Sequence, residues 1–346
     1  MNVIVLAGGL SSERNVSLST GAKVCQALAE LGHKAALVDL FLGLENYPRP
    51  YEQIFDAPPP LPPTDIGAHA PDLEAVKGSR ADQSRRMFGP GVLEVCSAAD
   101  VVFLGLHGAC GEDGRVQAAF DLLGIPYTGS GYLGSAIAMD KDFTKRLVRA
   151  EGVLTPDWQY VSVTTDSLGE LTAKLSLPCV VKVPTGGSSI GVTICRDREA
   201  LRDTLARHLG QRLLMEDYIE GREFSCGVLD NKPLPPIEII PKVGFYDYQN
   251  KYQPGATTEV CPAEVTPAAA RVMQDAALRV HRLLGLCAYS RSDFLMTKTG
   301  EVYFLEVNTL PGMTPTSLIP QEAAAVGVSY QQLCQRLLDL AQRERG

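Results

Sequence analysis

Residues 291–316 read RSDFLMTKTGEVYFLEVNTLPGMTPT, and this stretch says most about the fold. Two runs, Tyr289–Thr297 and Glu301–Val307, are rich in aromatic and β-branched residues, which favour strands. Between them lies Lys298-Thr299-Gly300, a typical turn sequence. The pattern therefore predicts a β-hairpin.

Four polar side chains of this hairpin are expected on one face. Side chains two apart on a strand point the same way, so Arg291 projects with Asp293. On the second strand, Glu306 projects with Asn308 for the same reason. A two-residue turn at Lys298-Thr299 would place Arg291 directly opposite Glu306. A three-residue bulged turn would shift that register, and both turns remain open.

The polar face of the hairpin has the composition of a metal and anion site. Two acids and an amide offer hard oxygen ligands, which suit Mg²⁺ rather than zinc. Arg291 beside such a metal is suited to an oxyanion or a phosphate. An exposed strand face balanced by a salt bridge is the common alternative. The polar, proline-containing turn that follows at 308–313 favours the site.

Length and composition limit the class of protein. A chain of 346 residues is too long for one compact core, which predicts two or three domains. A hydrophobic content of 45% with 21% charged residues is typical of a soluble globular protein. The net charge of −8, without a Lys/Arg block, argues against a nucleic-acid partner.

Cysteine usage and the first residues indicate the compartment. The nine cysteines are scattered and form no CxxC pair, which predicts neither a zinc site nor a disulfide framework. The first apolar run, in MNVIVLAGG, is too short to span a bilayer and lacks a basic leader. We therefore expect a cytoplasmic protein without a membrane partner.

The amino-terminal part has the pattern of a doubly wound sheet. Asn2–Ala7 is a continuous apolar run, typical of a central parallel strand. A segment with helical spacing follows, with Gly32 as its expected C-terminal cap, and Lys34–Asp39 is a second strand. Gly8-Gly9 lacks the third glycine of a dinucleotide fingerprint. Residues 44–87 hold a proline run and predict a surface excursion without chemistry.

Two later loops have ligand-binding compositions. The strand Asp100–Leu106 ends at His107, which begins a loop of glycines and acids. A ligand contact and an internally satisfied histidine are equally open for His107. The strand Leu177–Val183 carries Lys182 and leads into a loop at 184–191 rich in glycine and hydroxyls. That loop predicts either a phosphate cradle or a plain hairpin turn.

The remaining segments supply further parts of a nucleotide site. One helix is predicted over Gly134–Glu151, carrying Lys141 and Lys145, and a strand at 213–219 carries Glu216. The aromatic segment 245–252 predicts a lid, with a tyrosine-anchored surface loop as the alternative. Together with the hairpin, these parts would hold ATP and transfer its terminal phosphate.

Nine motifs in register resemble the D-alanine–D-alanine ligase family of ATP-grasp enzymes. The resemblance runs from residue 2 to the C-terminal helix and omits only 44–87. The motifs are GGLSSERNVSLSTG (8–21), LHGACGEDGRVQ (106–117), PYTGSG (126–131), MDKDFTK (139–145), GSSIGV (187–192), MEDYIEGREF (215–224), FYDYQNKY (245–252), SRSDF (290–294) and LEVNTLPGMTPTSL (305–318).

The resemblance implies a fold and a domain plan. The fold is α/β, with an α+β ATP-binding half: an ATP-grasp fold preceded by a doubly wound preATP-grasp domain. The implied domains are 1–133 for substrate binding, 134–222 as the central lid domain and 223–346 as the catalytic ATP- and magnesium-binding domain. A homodimer is also implied.

The implied reaction joins two D-alanines with ATP as co-substrate, through an acylphosphate, to give D-alanyl-D-alanine for peptidoglycan precursors. The implied cofactors are two Mg²⁺ ions, with Mn²⁺ as a possible replacement. Relatives that use D-lactate or D-serine are the alternatives, and Tyr252 favours D-alanine as second substrate. A non-catalytic nucleotide-binding relative is the third alternative, which Arg291 beside the metal ligands argues against.

The resemblance also implies roles at the substrate end. Glu13 matches the acid that holds the ammonium of the first D-alanine, with His107 nearby. Ser188 matches the loop serine that, with Tyr252 and Glu13, links the lid to the substrate. The catalytic and acceptor positions are the oxyanion-stabilising Arg291, the backbone N–H of Gly312 beside it, and the carboxylate subsite of the second D-alanine at Ser317 and Leu318.

The nucleotide and metal positions follow in the same way. Lys141, Lys182 and Lys251 match lysines on the ATP phosphates. Glu216 matches the acid that contacts adenine, and Glu223 the acid on the ribose hydroxyls. Phe245 belongs to the implied ATP-binding positions, and the implied metal ligands are Asp293, Glu306 and Asn308.

Overall fold

The amino-terminal part of the chain folds around a parallel sheet. The structure is a computed structural model that describes residues 1–64, 67, 71–186, 191–242, 244 and 255–345. The sheet consists of β1 (Asn2–Ala7), β2 (Lys34–Asp39) and β3 (Val101–Leu104), in the order β2-β1-β3. The central strand is β1, buried from Val3 to Ala7, as its continuous apolar run predicts.

Helices connect these strands and cover the sheet. The first helix ends just before Gly32, whose φ of +84° is the left-handed conformation expected at a C-terminal cap. The loops after β1 and β3 leave the same edge of the sheet, because the strands are parallel. They lie on the two sides of the point where the strand order reverses, between β1 and β3. The helices are α1 (Arg14–Glu30), α2 (Leu73–Gly78), α3 (Val92–Ala98) and α4 (Arg115–Leu123).

Residues 44–87, predicted to form a surface excursion, are partly buried against the first sheet. A 3₁₀ helix at Tyr51–Phe55 buries Ile54 and Phe55 against the core of the sheet. Arg80 is 2% exposed, and its guanidinium lies 4.7 Å from the ring centroid of Phe41. The apolar residues at 51, 54 and 55 form one face of a single helical turn, a period too short to recognise in the sequence. Most of the other described residues of this segment are exposed, both in the proline run at 58–63 and around α2, which buries no residue.

The single helix predicted over Gly134–Glu151 is two helices. They are α5 (Tyr132–Met139) and α6 (Lys141–Ala150), and the chain turns between them at Asp140. The Asp140 side chain accepts hydrogen bonds from the N–H groups of Asp142 and Phe143, which makes it the N-cap of the second helix. This break places Lys141 in a first helical turn, where its N–H donates to the carbonyl of Pro184 over 3.1 Å.

A second, antiparallel sheet follows. Its order is β4-β7-β5-β6, built from β4 (Trp158–Ser162), β5 (Cys179–Lys182), β6 (Val192–Cys195) and β7 (Arg212–Asp217). Two helices cover one face, α7 (Leu168–Lys174) and α8 (Arg198–Arg207). Because β5 and β6 are antiparallel neighbours, the glycine-rich loop at 184–191 connects a hairpin. Its residues 187–190 lie outside the described part, so the phosphate cradle stays a prediction.

The third sheet is also antiparallel and carries the hairpin. Its order is β11-β10-β8-β12-β13, with β9 pairing β8. One face packs on the long helix α9 (Pro267–Leu283) through Phe224, Phe294 and Phe304. The strands are β8 (Arg222–Leu229), β9 (Lys232–Pro233), β10 (Ile237–Pro241), β11 (Thr257–Val260), β12 (Tyr289–Met296) and β13 (Val302–Asn308).

The carboxyl-terminal helices return to the first part of the chain. They are α10 (Leu318–Ala325) and α11 (Tyr330–Arg345). Leu333 and Leu337 of the last helix join the same buried cluster as Val3 and Phe103 of the first sheet. In the part of the chain that the structure describes, no helix combines the length and apolarity needed to cross a membrane.

The hairpin contains the three-residue turn. Gly300 N–H donates to the carbonyl of Thr297 over 3.0 Å, and a bulge between Asp293 and Phe294 shifts the register further. Arg291 is therefore opposite Asn308, and Asp293 is opposite Glu306. The two-residue turn, which would have paired Arg291 with Glu306, is wrong. The four polar side chains still meet at one place, because residues directly opposite share a face.

Candidate active site

The floor of the site is the face of the third sheet that points away from α9. Asp293 is opposite Ser225 of β8, and Arg291 is opposite Gly227. The guanidinium of Arg291 binds Asp293 in a bidentate manner, with Nε 2.9 Å from Oδ1 and Nη2 2.8 Å from Oδ2. Both side chains are largely buried, at 13% and 10% exposed. The charge pair is therefore part of the site floor, unlike the exposed salt bridge that the sequence left open.

Asp293 is the centre of this network. Ser225 Oγ donates to its Oδ1 over 2.8 Å, and Asn308 Nδ2 donates to its Oδ2 over 3.1 Å. Across the pair, Glu306 Oε2 lies 3.1 Å from the ammonium of Lys141. The structure thus brings together the three residues predicted to bind metal: Asp293, Glu306 and Asn308.

The donor set at this face fits Mg²⁺ in kind. Two carboxylates and one amide carbonyl are hard oxygen ligands, and a magnesium site commonly uses few protein ligands and leaves the rest to water and phosphate. Within the described ranges, no group of three or more His, Cys, Asp and Glu residues could hold a metal ion. A metal at this face therefore depends on Asn308 and on ligands supplied by a substrate.

A buried carboxylate joins two lysines beside this floor. Glu216 Oε2 lies 2.6 Å from Lys182 Nζ, and its Oε1 lies 3.0 Å from Lys145 Nζ, an ion pair without hydrogen-bond alignment. Lys145 also donates to Thr155 Oγ1 over 2.8 Å. Burial alone would raise the pKa of Glu216, but the two ammonium groups outweigh it and hold that pKa below its usual range.

Lys145 is a site residue to which the sequence assigned no role. Its side chain is fully buried, and burial lowers its pKa to about 8 despite the opposing effect of Glu216. The signal in the sequence is its spacing, since Lys145 lies four residues after Lys141 on one helical face. Lys141 in turn donates to the carbonyl of Gly186 over 2.8 Å.

A cavity of about 360 Å³ lies between the second and third sheets. Its apolar walls include Val180 and Ile194 on one side and Ile239 and Leu295 on the other. Apolar walls with a few charged groups are typical of a small-molecule binding site. Predicted site residues that line the cavity are Lys141, Lys182, Glu216, Glu223, Asp293 and Glu306.

His107 has both ring nitrogens engaged within the chain. Its Nδ1 donates to the carbonyl of Leu310 over 2.9 Å, and its Nε2 accepts from Thr20 Oγ1 over 2.9 Å. Burial lowers the pKa of His107, so the ring is neutral. Both nitrogens are thus satisfied within the chain, and a ligand contact of His107 stays a prediction. Glu13 lies close enough for its charge to oppose that lowering of the pKa.

Glu112 is a second residue that the sequence left without a role. Its Oε2 accepts from the N–H of Gly108 over 2.8 Å, and its Oε1 accepts from the N–H of Leu310 over 3.2 Å. Burial raises its pKa to about 7. Like His107, Glu112 binds the turn after β13, and so connects the first sheet to the β12–β13 hairpin. Its only signal was membership of a Gly-Glu-Asp loop.

Glu13 lies at the start of α1, 7% exposed, where the loops after β1 and β3 meet. Gly108 of the second loop has a φ of +70°, and a Cβ there would come within 3.0 Å of Glu13 Oε2. A glycine is therefore needed for this close approach.

The turn after β13 leads to the predicted acceptor subsite. Ser317 Oγ accepts from the N–H of Thr314 over 3.1 Å, and Ser317 is the N-cap residue of α10. Gly312 lies so near that a Cβ there would be 2.9 Å from Ser317 Oγ. The Leu318 side chain is buried with Ile237 and Ile239, so any contact with a ligand would come from its backbone. The roles of Gly312, Ser317 and Leu318 stay predictions.

Four predicted residues lie outside the described part of the chain: Ser188, Phe245, Lys251 and Tyr252. Their roles, and the lid at 245–252, remain predictions from the sequence.

Two family models match nearly the whole chain. The one described as D-ala D-ala ligase N-terminus matches residues 2–130, and the one described as D-ala D-ala ligase C-terminus matches residues 147–339. The chain belongs to the D-alanine–D-alanine ligase family. The predicted family is thereby confirmed, and so is the enzyme class, an ATP-dependent ligase.

Relatives within the D-alanine–D-alanine ligase family match over their full length. The D-alanine–D-alanine ligase of Pediococcus pentosaceus is 42% identical over 342 residues, 98% of this chain and 97% of that one. The one from Nitratidesulfovibrio vulgaris is 40% identical over 350 residues, all of both chains.

The fold agrees with solved structures of the family. The crystal structure of D-alanine–D-alanine ligase from Bacillus anthracis complexed with ATP aligns with a TM-score of 0.74 at 29% identity. The alignment covers 100% of this chain and 98% of that one. The ATP-grasp fold predicted from the sequence is confirmed.

Proposed function

We propose that this chain joins two D-alanine molecules to D-alanyl-D-alanine at the expense of ATP, for peptidoglycan precursors. The observation that carries the proposal is the convergence of three features at one place. The lysine-lined cavity reaches Asp293, which is paired with Arg291. The buried acid Glu13 lies beside Gly108, in the loop that binds the turn after the hairpin through Glu112.

ATP would occupy the cavity between the second and third sheets. Its apolar walls would enclose the adenine, and Glu223 lines the same cavity at a position that suits the ribose. Lys141 and Lys182 would hold the phosphates at the other end. Glu216 keeps Lys182 in place through its 2.6 Å ion pair, a role that adds to its predicted adenine contact.

Asp293, Glu306 and Asn308 would hold two Mg²⁺ ions. When bound, these ions would neutralise the phosphate oxygens, which is the contribution that metal ions make to phosphoryl transfer. In the protein itself, the Asp293 carboxylate is held in place by Ser225 and Asn308. Its orientation is therefore set before any ligand arrives.

The reaction proceeds in two transfers. The carboxylate of the first D-alanine, held through its ammonium by Glu13, attacks the γ-phosphorus, and ADP leaves. The amine of the second D-alanine then attacks the acylphosphate carbonyl, loses a proton, and inorganic phosphate leaves. Arg291 would stabilise the oxyanion of the tetrahedral intermediate, an interaction worth about 3–4 kcal/mol for one well-placed donor.

The test is phosphate release with identification of the product. We expect phosphate to appear only when both ATP and D-alanine are present, in a one-to-one ratio with D-alanyl-D-alanine. Removal of divalent cations with EDTA should abolish phosphate release, and added Mg²⁺ should restore it. The reason is that the proposed site binds the phosphates of ATP through metal ions.

Parallel reactions with D-lactate or D-serine as acceptor distinguish the family alternatives. A better rate with either would overturn D-alanine as second substrate. ATP binding without turnover on any acceptor would favour the non-catalytic relative.

We further propose a cytoplasmic homodimer of three-domain subunits. Four large apolar side chains at the end of α4 and the start of α5 are 51–89% exposed, and grouped exposed apolar side chains often mark protein–protein interfaces. They are Leu122, Leu123, Tyr132 and Leu133. Sedimentation at twice 37.3 kDa would support the dimer, and a monomer at micromolar concentration would contradict it.

The proposed domains 1–133, 134–222 and 223–346 each contain one of the three sheets, apart from the first residue of β8. Limited proteolysis that cut within a sheet rather than near residues 133 or 222 would contradict this division.

A further inference from the structure

Glu322 is a fully buried acid to which the proposed reaction gives no part. It lies in α10 and is 0% exposed. Its Oε2 accepts from the N–H of Gly227 over 2.7 Å, while its Oε1 has no hydrogen-bond partner among the described residues. A buried polar atom without a hydrogen-bond partner lowers the stability of the fold, so an acid at this position requires a structural or functional explanation.

The carboxyl of Glu322 lies on the catalytic face of the third sheet. Gly227 of β8 is directly opposite Arg291 of β12, and residues opposite each other in an antiparallel pair share a face. A Cβ at Gly227 would overlap Oε2 of Glu322 and Cδ1 of Ile319. The space that a side chain at 227 would fill is therefore occupied by the Glu322 carboxyl, next to the strand position of Arg291.

The helix that carries Glu322 also carries the predicted acceptor subsite. Ser317 is the N-cap residue of α10, and Leu318 is its first residue, about one helical turn before Glu322. The hydrogen bond from Gly227 to Glu322 spans 95 residues of sequence and joins this helix to the central strand of the site floor. The start of α10 is thus held against the sheet at the level of Arg291.

We propose that Glu322 is a positioning residue for the second amino acid. Its carboxyl holds the start of α10, and with it the carboxylate subsite of the acceptor, at a set distance from Arg291. This inference rests on the proposed function, because it assumes an acceptor bound at Ser317 and Leu318. Small misplacement of an acceptor relative to the reacting carbonyl is expected to slow ligation strongly.

Three variants separate positioning from simple stability. Burial raises the pKa of Glu322 well above its usual range, which favours the neutral acid, and glutamine is its closest uncharged replacement in shape. Glu322→Gln keeps an acceptor oxygen for Gly227, Glu322→Met fills the space without one, and Glu322→Ala removes both. Ala324→Ser, exposed on the same helix, is the matched control.

We expect Glu322→Met to raise KM for the acceptor D-alanine about tenfold, the effect of losing one positioning hydrogen bond. KM for ATP should change less than twofold, and Glu322→Gln should behave like the wild type. Glu322→Ala should follow Glu322→Met if it folds. An acceptor KM within twofold of wild type in Glu322→Met, or an equal loss in all kinetic constants, would overturn the proposal.

A second measurement does not depend on turnover. Amide hydrogen exchange of the ligand-free protein should be faster in residues 318–325 of Glu322→Met than in the wild type, Glu322→Gln or Ala324→Ser. Unchanged exchange there would also overturn the inference. A wild-type protein that makes no dipeptide would instead contradict the proposed function, which keeps the two failures distinct.

Discussion

Arg291→Ala is expected to lower kcat for ligation by about a hundredfold to a thousandfold, while the Kd for ATP changes little. The guanidinium lies on the floor of the site, bound to Asp293, where an oxyanion would form beside the metal ligands. Loss of one donor to such an oxyanion typically costs about 3–4 kcal/mol in the transition state. Asp293 keeps its bonds from Ser225 and Asn308 in the variant, so this predicted metal ligand stays in place.

The measurement pairs steady-state kinetics with calorimetric titration of ATP. Arg343→Ala is the matched control, because Arg343, on the last helix, forms an exposed ion pair with Asp230 and is not among the predicted site residues. It should leave both quantities unchanged. Full activity in Arg291→Ala would show that the arginine has no part in the chemistry, and a large rise in the Kd for ATP would place it in nucleotide binding.

Glu216→Ala is expected to lower the free energy of unfolding by about 3–5 kcal/mol, the usual cost of removing one partner from a buried ionic group. The change leaves two ammonium groups, those of Lys145 and Lys182, in an interior where they are 0% and 9% exposed. Because Lys182 loses the carboxylate that orients it, KM for ATP should rise as well. Urea denaturation followed by circular dichroism at neutral pH measures the first effect.

Two comparisons make this result specific. Glu170→Ala removes an exposed partner of Lys174, and it should cost less than about 1 kcal/mol. Adding Lys145→Met to Glu216→Ala should recover part of the lost stability, because one of the two unpaired charges is then gone. A loss below 1 kcal/mol in Glu216→Ala would mean that water or a rotated side chain already compensates the lysines.

Local patterns were sufficient for most individual elements. The apolar runs at 2–7 and 34–39 became neighbouring parallel strands, because a strand buried on both faces must be apolar throughout. The two halves of the hairpin at 289–297 and 301–307 formed within a residue of the expected ends. Alternation along each strand also placed Arg291 with Asp293, since the side-chain period of a strand does not depend on its partner.

Local patterns did not predict features that depend on contacts between distant parts of the chain. The predicted helix is interrupted at Asp140, because the Asp140 side chain caps the start of α6. The N–H of the next residue, Lys141, donates to the carbonyl of Pro184, more than forty residues away. The hairpin register depended on a bulge at Asp293, which no residue preference indicated.

By itself, the sequence determined the family, most of the individual strands and the residue types available for chemistry. These depend on composition, on periods of 2 and 3.6 residues, and on short motifs that neighbours along the chain define. Only the tertiary structure decided what those residues contact. His107 and Glu112 bind Leu310, Lys145 joins Glu216, and Glu322 fills the space at Gly227. Each contact joins segments far apart in sequence, and its partner is set by packing in three dimensions, which no local pattern records.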